Sequence, residues 1–222
     1  MFLEQLLENK LTVFILILVN MSPLFFMVAY HWDLQALLVL YWSENLIIGG
    51  YTLLKMLLLP MEHPALHLSK LFSIPFFTVH YGGFCAVHGF FIMAFFSPET
   101  PSSLMGGGDE WFGPFVFISM LIAVIQSVAA YMPPAMEVPL ILLVFSHGFS
   151  FLRNFIGRGE YYRTTTNVQM MAPYKRIVIL HITIIALGFL IGAFGASVPM
   201  LGVLVLCKIA LDILLHVKSH VA

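Results

Sequence analysis

The sequence predicts an all-α membrane protein, a polytopic transmembrane helix bundle with about seven spans. Composition, long apolar segments and the position of the polar loops all support this fold class. Of the 222 residues, 60% are hydrophobic and only 9% are charged, and the chain contains 21 Phe and 13 Met. A soluble domain carries about a quarter charged residues. This chain has too little polar surface to cover a globule in water, so its solvent is predicted to be lipid.

Apolar segments of about 20 residues match the thickness of the hydrocarbon core. The sequence contains seven, in a single transmembrane domain covering 1–222: about 11–31, 34–59, 71–96, 111–132, 138–157, 175–195 and 199–219. Polar or Pro/Gly-rich segments separate them, and these belong at the membrane surfaces or along a cavity because irregular backbone cannot face lipid. The first apolar segment is too long for a signal-peptide core, so it is predicted to be a span.

The distribution of Lys and Arg predicts the orientation. The side of the C-terminus collects most of these residues: Arg158, Arg163, Lys175, Arg176 and Lys218. The opposite side is predicted to hold Lys10, Lys55 and Lys70. By the positive-inside rule the C-terminus is cytoplasmic and the N-terminus is outside. Loop 97–110 is then also cytoplasmic.

Charge and cysteine content exclude some classes of protein. The formal net charge is −1, which provides no basic surface for nucleic acid. Cys85 and Cys207 both lie in apolar spans and do not indicate a disulfide framework. The expected partner is the lipid bilayer, and the oligomeric state is left open.

The ionisable residues within the spans are predicted to form one polar cluster in the cytoplasmic half of the membrane. A charged side chain at mid-span costs about 2.5–3.5 kcal/mol on insertion scales, so such residues are expected to be paired and turned inward. Counting about 1.5 Å per residue places six of them within about 15 Å of the cytoplasmic end. These six are Glu44, His88, His147, His181, Asp212 and His216. His80 and Lys208 are predicted to lie deeper.

Each of these residues also has a purely structural explanation. Glu44 and Asn45, in YWSENLIIGG, also fit a packing hydrogen bond to a neighbouring Trp or Tyr. A lone intramembrane histidine often only connects two helices. The series Lys208, Asp212, His216 on one helix face also fits an internal ion pair with His216 at the interface.

The first functional hypothesis is a metal-dependent membrane enzyme. The candidate ligands are His88, His147, His181, Asp212 and His216, a donor set that suits Zn or Fe. With zinc, the metal activates a water for hydrolysis of a lipid or other membrane substrate. Glu44 is then the general base, and Lys208 forms the floor of the site.

Two other hypotheses use the same residues. Buried Glu, Lys, Asp and His are also the components of a proton relay, so a proton- or ion-coupled transporter or channel is one alternative. A haem or other cofactor-binding membrane protein is another, because two histidines at matched depth can ligate haem. Lys208 also suggests a retinal Schiff base, but span six lacks the Trp and Pro that line such a pocket.

The arrangement has some similarity to the alkaline ceramidase superfamily of membrane hydrolases. Its members have seven helices, an outside N-terminus and a zinc site towards the cytoplasm with an H-x3-H pair in the last span. His216 and His220 match that pair. Span two, however, has Glu44 where a histidine is expected.

Four stretches resemble an uncharacterised bacterial family of multi-pass membrane proteins, a domain of unknown function. They are YWSENLIIGGYTLLKM (41–56), FFTVHYGGFCAVHGFF (76–91), APYKRIVILHITI (172–184) and CKIALDILLH (207–216). The shared patterns are W-x-E-N, P-Y-x-R-x4-H and K-x3-D-x3-H. The resemblance implies a bacterial inner membrane and no known activity. It adds Arg176 as a residue that binds an anionic head group or pairs with Asp212.

Overall fold

The computed structural model describes residues 23, 25–60, 64–96, 113–178 and 181–182. Within these ranges all regular secondary structure is helical. The main helices are α1 (Leu34–Leu58), α2 (Pro64–Phe96), α3 (Val116–Tyr131), α4 (Glu137–Ser150) and the short α5 (Thr166–Met171). A 3-10 turn, Gly113–Phe115, precedes α3, and a π-helical turn, Phe151–Gly157, continues α4. Residues 174–178 and 181–182 are also helical.

Four helical stretches are long and apolar enough to cross a membrane, which indicates a membrane protein. They are Leu34–Leu58, Ser69–Ala94, Gly113–Tyr131 and Glu137–Gly157. The predicted spans 34–59, 71–96, 111–132 and 138–157 are therefore confirmed as helices of membrane-spanning length. The predicted spans 11–31, 175–195 and 199–219 lie largely or wholly outside the described residues.

The sequence explains where α1 begins and ends. The Asp33 side chain accepts a hydrogen bond of 2.8 Å from the Ala36 amide, which satisfies a donor in the first turn. At the other end, the Lys70 ammonium donates to the carbonyls of Leu57 and Leu59 at 3.1 and 2.6 Å. A cation on the last carbonyls of a helix caps it and complements its dipole.

α1 and α2 form an antiparallel hairpin. The Trp42 indole donates to the Cys85 carbonyl at 2.7 Å, and the Tyr81 hydroxyl donates to the Asn45 carbonyl at 3.0 Å. Residue numbers thus rise on one helix as they fall on the other. Gly89 makes the close approach feasible, because a Cβ there would lie 2.8 Å from the Trp42 ring.

α3 and α4 are joined by a short turn and run in opposite directions, but each packs mainly against the first hairpin: α3 against α2, and α4 against α1, with which it runs in the same direction. At the start of both helices, the Trp32 indole donates to the Pro134 carbonyl at 3.0 Å. Further along, the Tyr51 hydroxyl donates to the Val144 carbonyl, also at 3.0 Å.

α2 and α3 also run in the same direction. Gly83 faces Phe117, where an ideal Cβ on the glycine would be 3.4 Å from the Phe117 Cβ, and Gly89 faces Val124. Residue numbers rise together along the contact, and α3 begins beside the middle of α2. The predicted alternation of successive spans is therefore wrong between these two helices. Hydropathy locates an apolar helix but carries no information on its direction.

Several basic residues of the described chain gather at one end of the bundle. Lys55 lies 3.9 Å from Glu160, in the segment that follows α4, and Lys70 caps the end of α1. Arg158 and Arg163 flank Glu160 in sequence. The prediction that Lys55 and Lys70 lie on the side opposite these arginines is thus wrong. We call this the basic end.

The direction of α3 can be tested by disulfide cross-linking. The pair Gly83→Cys/Phe117→Cys is expected to cross-link on oxidation, because an ideal Cβ on Gly83 would be 3.4 Å from the Phe117 Cβ and Cβ atoms about 3.5–4.5 Å apart suit a disulfide. Mass spectrometry of the linked peptides is the measurement. The pair Gly50→Cys/Phe117→Cys is the control and should stay reduced, since Gly50 has no neighbour within 4 Å. In an antiparallel packing α3 would begin beside the end of α2, and the first pair would be too far apart to link.

Candidate functional site

Glu44 is a carboxylate buried in the middle of the bundle, with only 3% of its surface exposed. Its Oε1 lies 3.5 Å from Nε2 of His147 on α4 and 3.7 Å from Nη1 of Arg176. Three separate elements therefore converge on one oxygen. We call Glu44, His147 and Arg176 the Glu44 cluster.

The composition of this cluster explains how a carboxylate is tolerated there. An ion buried without a partner costs several kcal/mol, whereas a partner cation and hydrogen bonds offset that cost. Arg176 remains protonated under all ordinary conditions, so Glu44 and Arg176 together carry no net charge. His147 adds an imidazole, whose two ring nitrogens can donate and accept hydrogen bonds.

Tyr51 and Gly148 fix the position of His147. The Tyr51 hydroxyl bonds to the Val144 carbonyl, and its ring lies 6.4 Å from the His147 ring. A Cβ on Gly148 would be 2.7 Å from the Tyr51 hydroxyl. The glycine thus leaves room for the tyrosine that holds His147 next to Glu44.

Arg176 is positioned by the apolar residue that follows it. Ile177 is 2% exposed and packs in a buried group with Met56, Phe77 and Tyr81. This contact anchors residues 174–178 between α1 and α2. The neighbouring arginine is thereby brought to Glu44.

His88 and His181 form a second polar contact, which we call the histidine pair. His181 Nδ1 lies 2.7 Å from His88 Nε2, and His88 Nδ1 lies 2.6 Å from the Phe84 carbonyl. A carbonyl only accepts, so His88 donates from Nδ1. In a neutral pair, His88 Nε2 therefore accepts the proton donated by His181 Nδ1.

The two groups lie at different heights in the bundle. The Tyr81–Asn45 hydrogen bond places Glu44 beside residue 82 of α2. His88 is six residues further along, about 9 Å at a rise of about 1.5 Å per residue. The Glu44 cluster and the histidine pair are connected along the chain, because Arg176 and His181 are only five residues apart.

The structure thus brings together five of the eight predicted site residues, in two groups rather than one cluster. Lys208, Asp212 and His216 lie outside the described residues. His80, predicted to be deeper, lies with its Nδ1 2.8 Å from the Tyr174 hydroxyl. Tyr51 and Tyr174 were not predicted; both belong to aromatic-rich segments that resemble ordinary membrane packing.

The predicted metal site is not decided by the described residues. Among them, no group of three or more His, Cys, Asp or Glu is placed to hold a metal ion. The proposed ligand set also includes Asp212 and His216, which are not described. Binding of Zn, Fe or haem therefore stays a prediction.

The four long apolar helices indicate a helical membrane protein, and the buried ionisable groups give its bundle a polar site. The chain belongs to a family of unknown function, DUF6498, whose family model matches residues 3–222. This confirms the resemblance to an uncharacterised family. Comparison with curated proteins and with solved structures gives no match. The similarity to alkaline ceramidases gains no support, and His216 and His220 lie outside the described residues.

The contact between Glu44 and Arg176 can be measured by a double-mutant cycle. Arg176→Met is expected to destabilise the protein by about 3 kcal/mol, because it removes the cation beside a buried carboxylate. Adding Glu44→Gln should recover most of the loss. Thermal unfolding in detergent is the measurement, and Arg163→Met, at an exposed position, is the control. Additive effects of the two substitutions would contradict a direct contact.

Proposed function

We propose that the protein moves protons, or an ion or solute coupled to protons, across the membrane through Glu44. The observation that carries the proposal is the buried Glu44 carboxylate in contact with both His147 and Arg176. Ionisable residues inside a membrane bundle mark proton and ion pathways. The positive charge of Arg176 already balances the negative charge of Glu44. The carboxylate is therefore available for proton exchange.

The three residues have different roles in this proposal. Glu44 takes up and releases the transported proton. His147 exchanges it with Glu44 over a distance of 3.5 Å, which a small side-chain rotation shortens to a hydrogen bond. Arg176 keeps a permanent positive charge near the carboxylate, which balances the negative charge of the deprotonated form.

The proposal includes an orientation. The positive-inside rule assigns the basic end to the cytoplasm. α1 then enters from the outside, so the predicted first span places the N-terminus in the cytoplasm, instead of outside as the sequence alone predicts. The membrane of this proposal is the bacterial inner membrane.

Proton flux in liposomes tests this function. The wild type is expected to collapse an imposed pH gradient, read with an enclosed pH-sensitive dye. Glu44→Gln should reduce the rate by at least about tenfold, because the amide cannot exchange a proton. Glu137→Gln is the control, since Glu137 is exposed at the first turn of α4. Absence of flux in the wild type, or full flux in Glu44→Gln, refutes the proposal.

A metal-dependent membrane hydrolase is the second candidate, and the histidine pair favours it. The Phe84 carbonyl fixes the tautomer of His88 so that its Nε2 lone pair is directed at His181. Orientation of a ligand histidine through its other nitrogen is common in metal sites. Asp212 and His216 are the proposed additional ligands for Zn or Fe.

Elemental analysis tests this second candidate. The purified wild type is expected to contain about one Zn or Fe per chain if the site is a mononuclear hydrolase centre. His88→Ala should lose it, whereas His31→Ala, at an exposed position, should retain it. Wild-type protein that contains no Zn or Fe eliminates this candidate and leaves the transport proposal intact.

A further inference from the structure

α4 carries a polar stripe on the side that meets α1. His147 and Ser150 are three residues apart on one face of α4, and Asn154 in the turn that follows donates to Ser150 Oγ. His147 meets Glu44 of α1, and two turns later Lys55 of α1 lies 5.3 Å from the centre of the Phe155 ring. The stripe therefore follows the α1–α4 interface.

Asn154 is buried in this stripe without a full set of partners. It is 4% exposed, and its Nδ2 donates to Ser150 Oγ at 3.2 Å. Within the described part of the chain, its Oδ1 has no hydrogen-bond partner. Flipping the Asn154 side-chain amide exchanges Oδ1 and Nδ2. Nδ2 is then the atom without a partner. A buried amide of this kind is usually completed by an ordered water.

The backbone at Asn154 is also irregular. It lies within the π-helical turn Phe151–Gly157. Such turns are rare and are frequently found at functional sites. In a membrane, irregular backbone is tolerated where it is buried in protein or lines a water-filled cavity.

The stripe has one end at the Glu44 cluster and the other at the basic end. Lys55 and Glu160, 3.9 Å apart, have side chains that are 25% and 30% exposed. The Gln169 amide extends this polar group, with its Nε2 3.5 Å from Glu160. Water at Asn154 would therefore connect a buried carboxylate with a partly exposed ion pair.

We propose that His147, Ser150 and Asn154 line a water-filled path from Glu44 to the basic end of the bundle. The ligand of this site is a short row of water molecules hydrogen-bonded to Ser150 Oγ and the Asn154 amide. The inference rests on the proposed function and adds the route by which protons reach Glu44 from one side.

Thiol labelling tests the path without reference to transport. Ser150→Cys changes one atom and places a thiol in the proposed path. The probe is a charged, membrane-impermeant methanethiosulfonate applied to protein in phospholipid vesicles. We expect labelling roughly tenfold faster than for Leu152→Cys, because the reagent reacts with a thiolate, which forms only in contact with water. Leu152 is 63% exposed in the bundle and faces lipid in this proposal. Wild-type protein gives the background from Cys85 and Cys207.

A second substitution connects the result to Asn154. In the Ser150→Cys protein, Asn154→Leu should slow labelling to the Leu152→Cys rate, because it removes the amide that holds water. Labelling of Ser150→Cys no faster than of Leu152→Cys overturns the path, as does labelling unaffected by Asn154→Leu. Flux without labelling refutes the path alone, and labelling without flux refutes the transport proposal alone.

Discussion

The contact between Trp42 and α2 determines the geometry of the rest of the bundle. The indole N–H donates to the Cys85 carbonyl, and the ring lies where Gly89 has no side chain. In lipid, an indole N–H has no water to bond, so this acceptor strongly favours one register of α1 against α2. That register places Glu44 beside the segment that carries Arg176.

The bundle distributes its intramembrane polar groups over several elements. Glu44 comes from α1 and His147 from α4, so their contact joins α4 to the α1–α2 hairpin. Arg176 and His181 come from the segment after α5 and contact different helices. Because residues 174–182 touch both groups, a displacement of this segment would alter the Glu44 cluster and the histidine pair together. A transporter that links proton binding to movement requires such a shared element.

The sequence predicts the helices better than their arrangement. The spans 34–59, 71–96, 111–132 and 138–157 are predictable because hydropathy is a local property. Counting residues from the end of each span places Glu44 and His147 at the same depth, and the two side chains do meet. Both residues are near mid-helix, so this depth does not depend on the direction of either helix. The same count merges His88 with Glu44, because it assumes that the ends of α1 and α2 lie level, whereas the observed register places His88 about 9 Å further along the bundle than Glu44. The sequence contains no local signal for the common direction of α2 and α3. It also contains none for the position of Lys55 at the same end of the bundle as Arg158.

The packing of α3 on α2 and of α4 on α1 has a consequence for biogenesis. Each helix satisfies its own backbone hydrogen bonds and is able to enter the bilayer before the helices pack together. Helices of the same direction then meet, as α1 meets α4 and α2 meets α3. The contact of Glu44 with His147 forms only at this second stage. Assembly of the polar site and completion of the tertiary fold are therefore the same event.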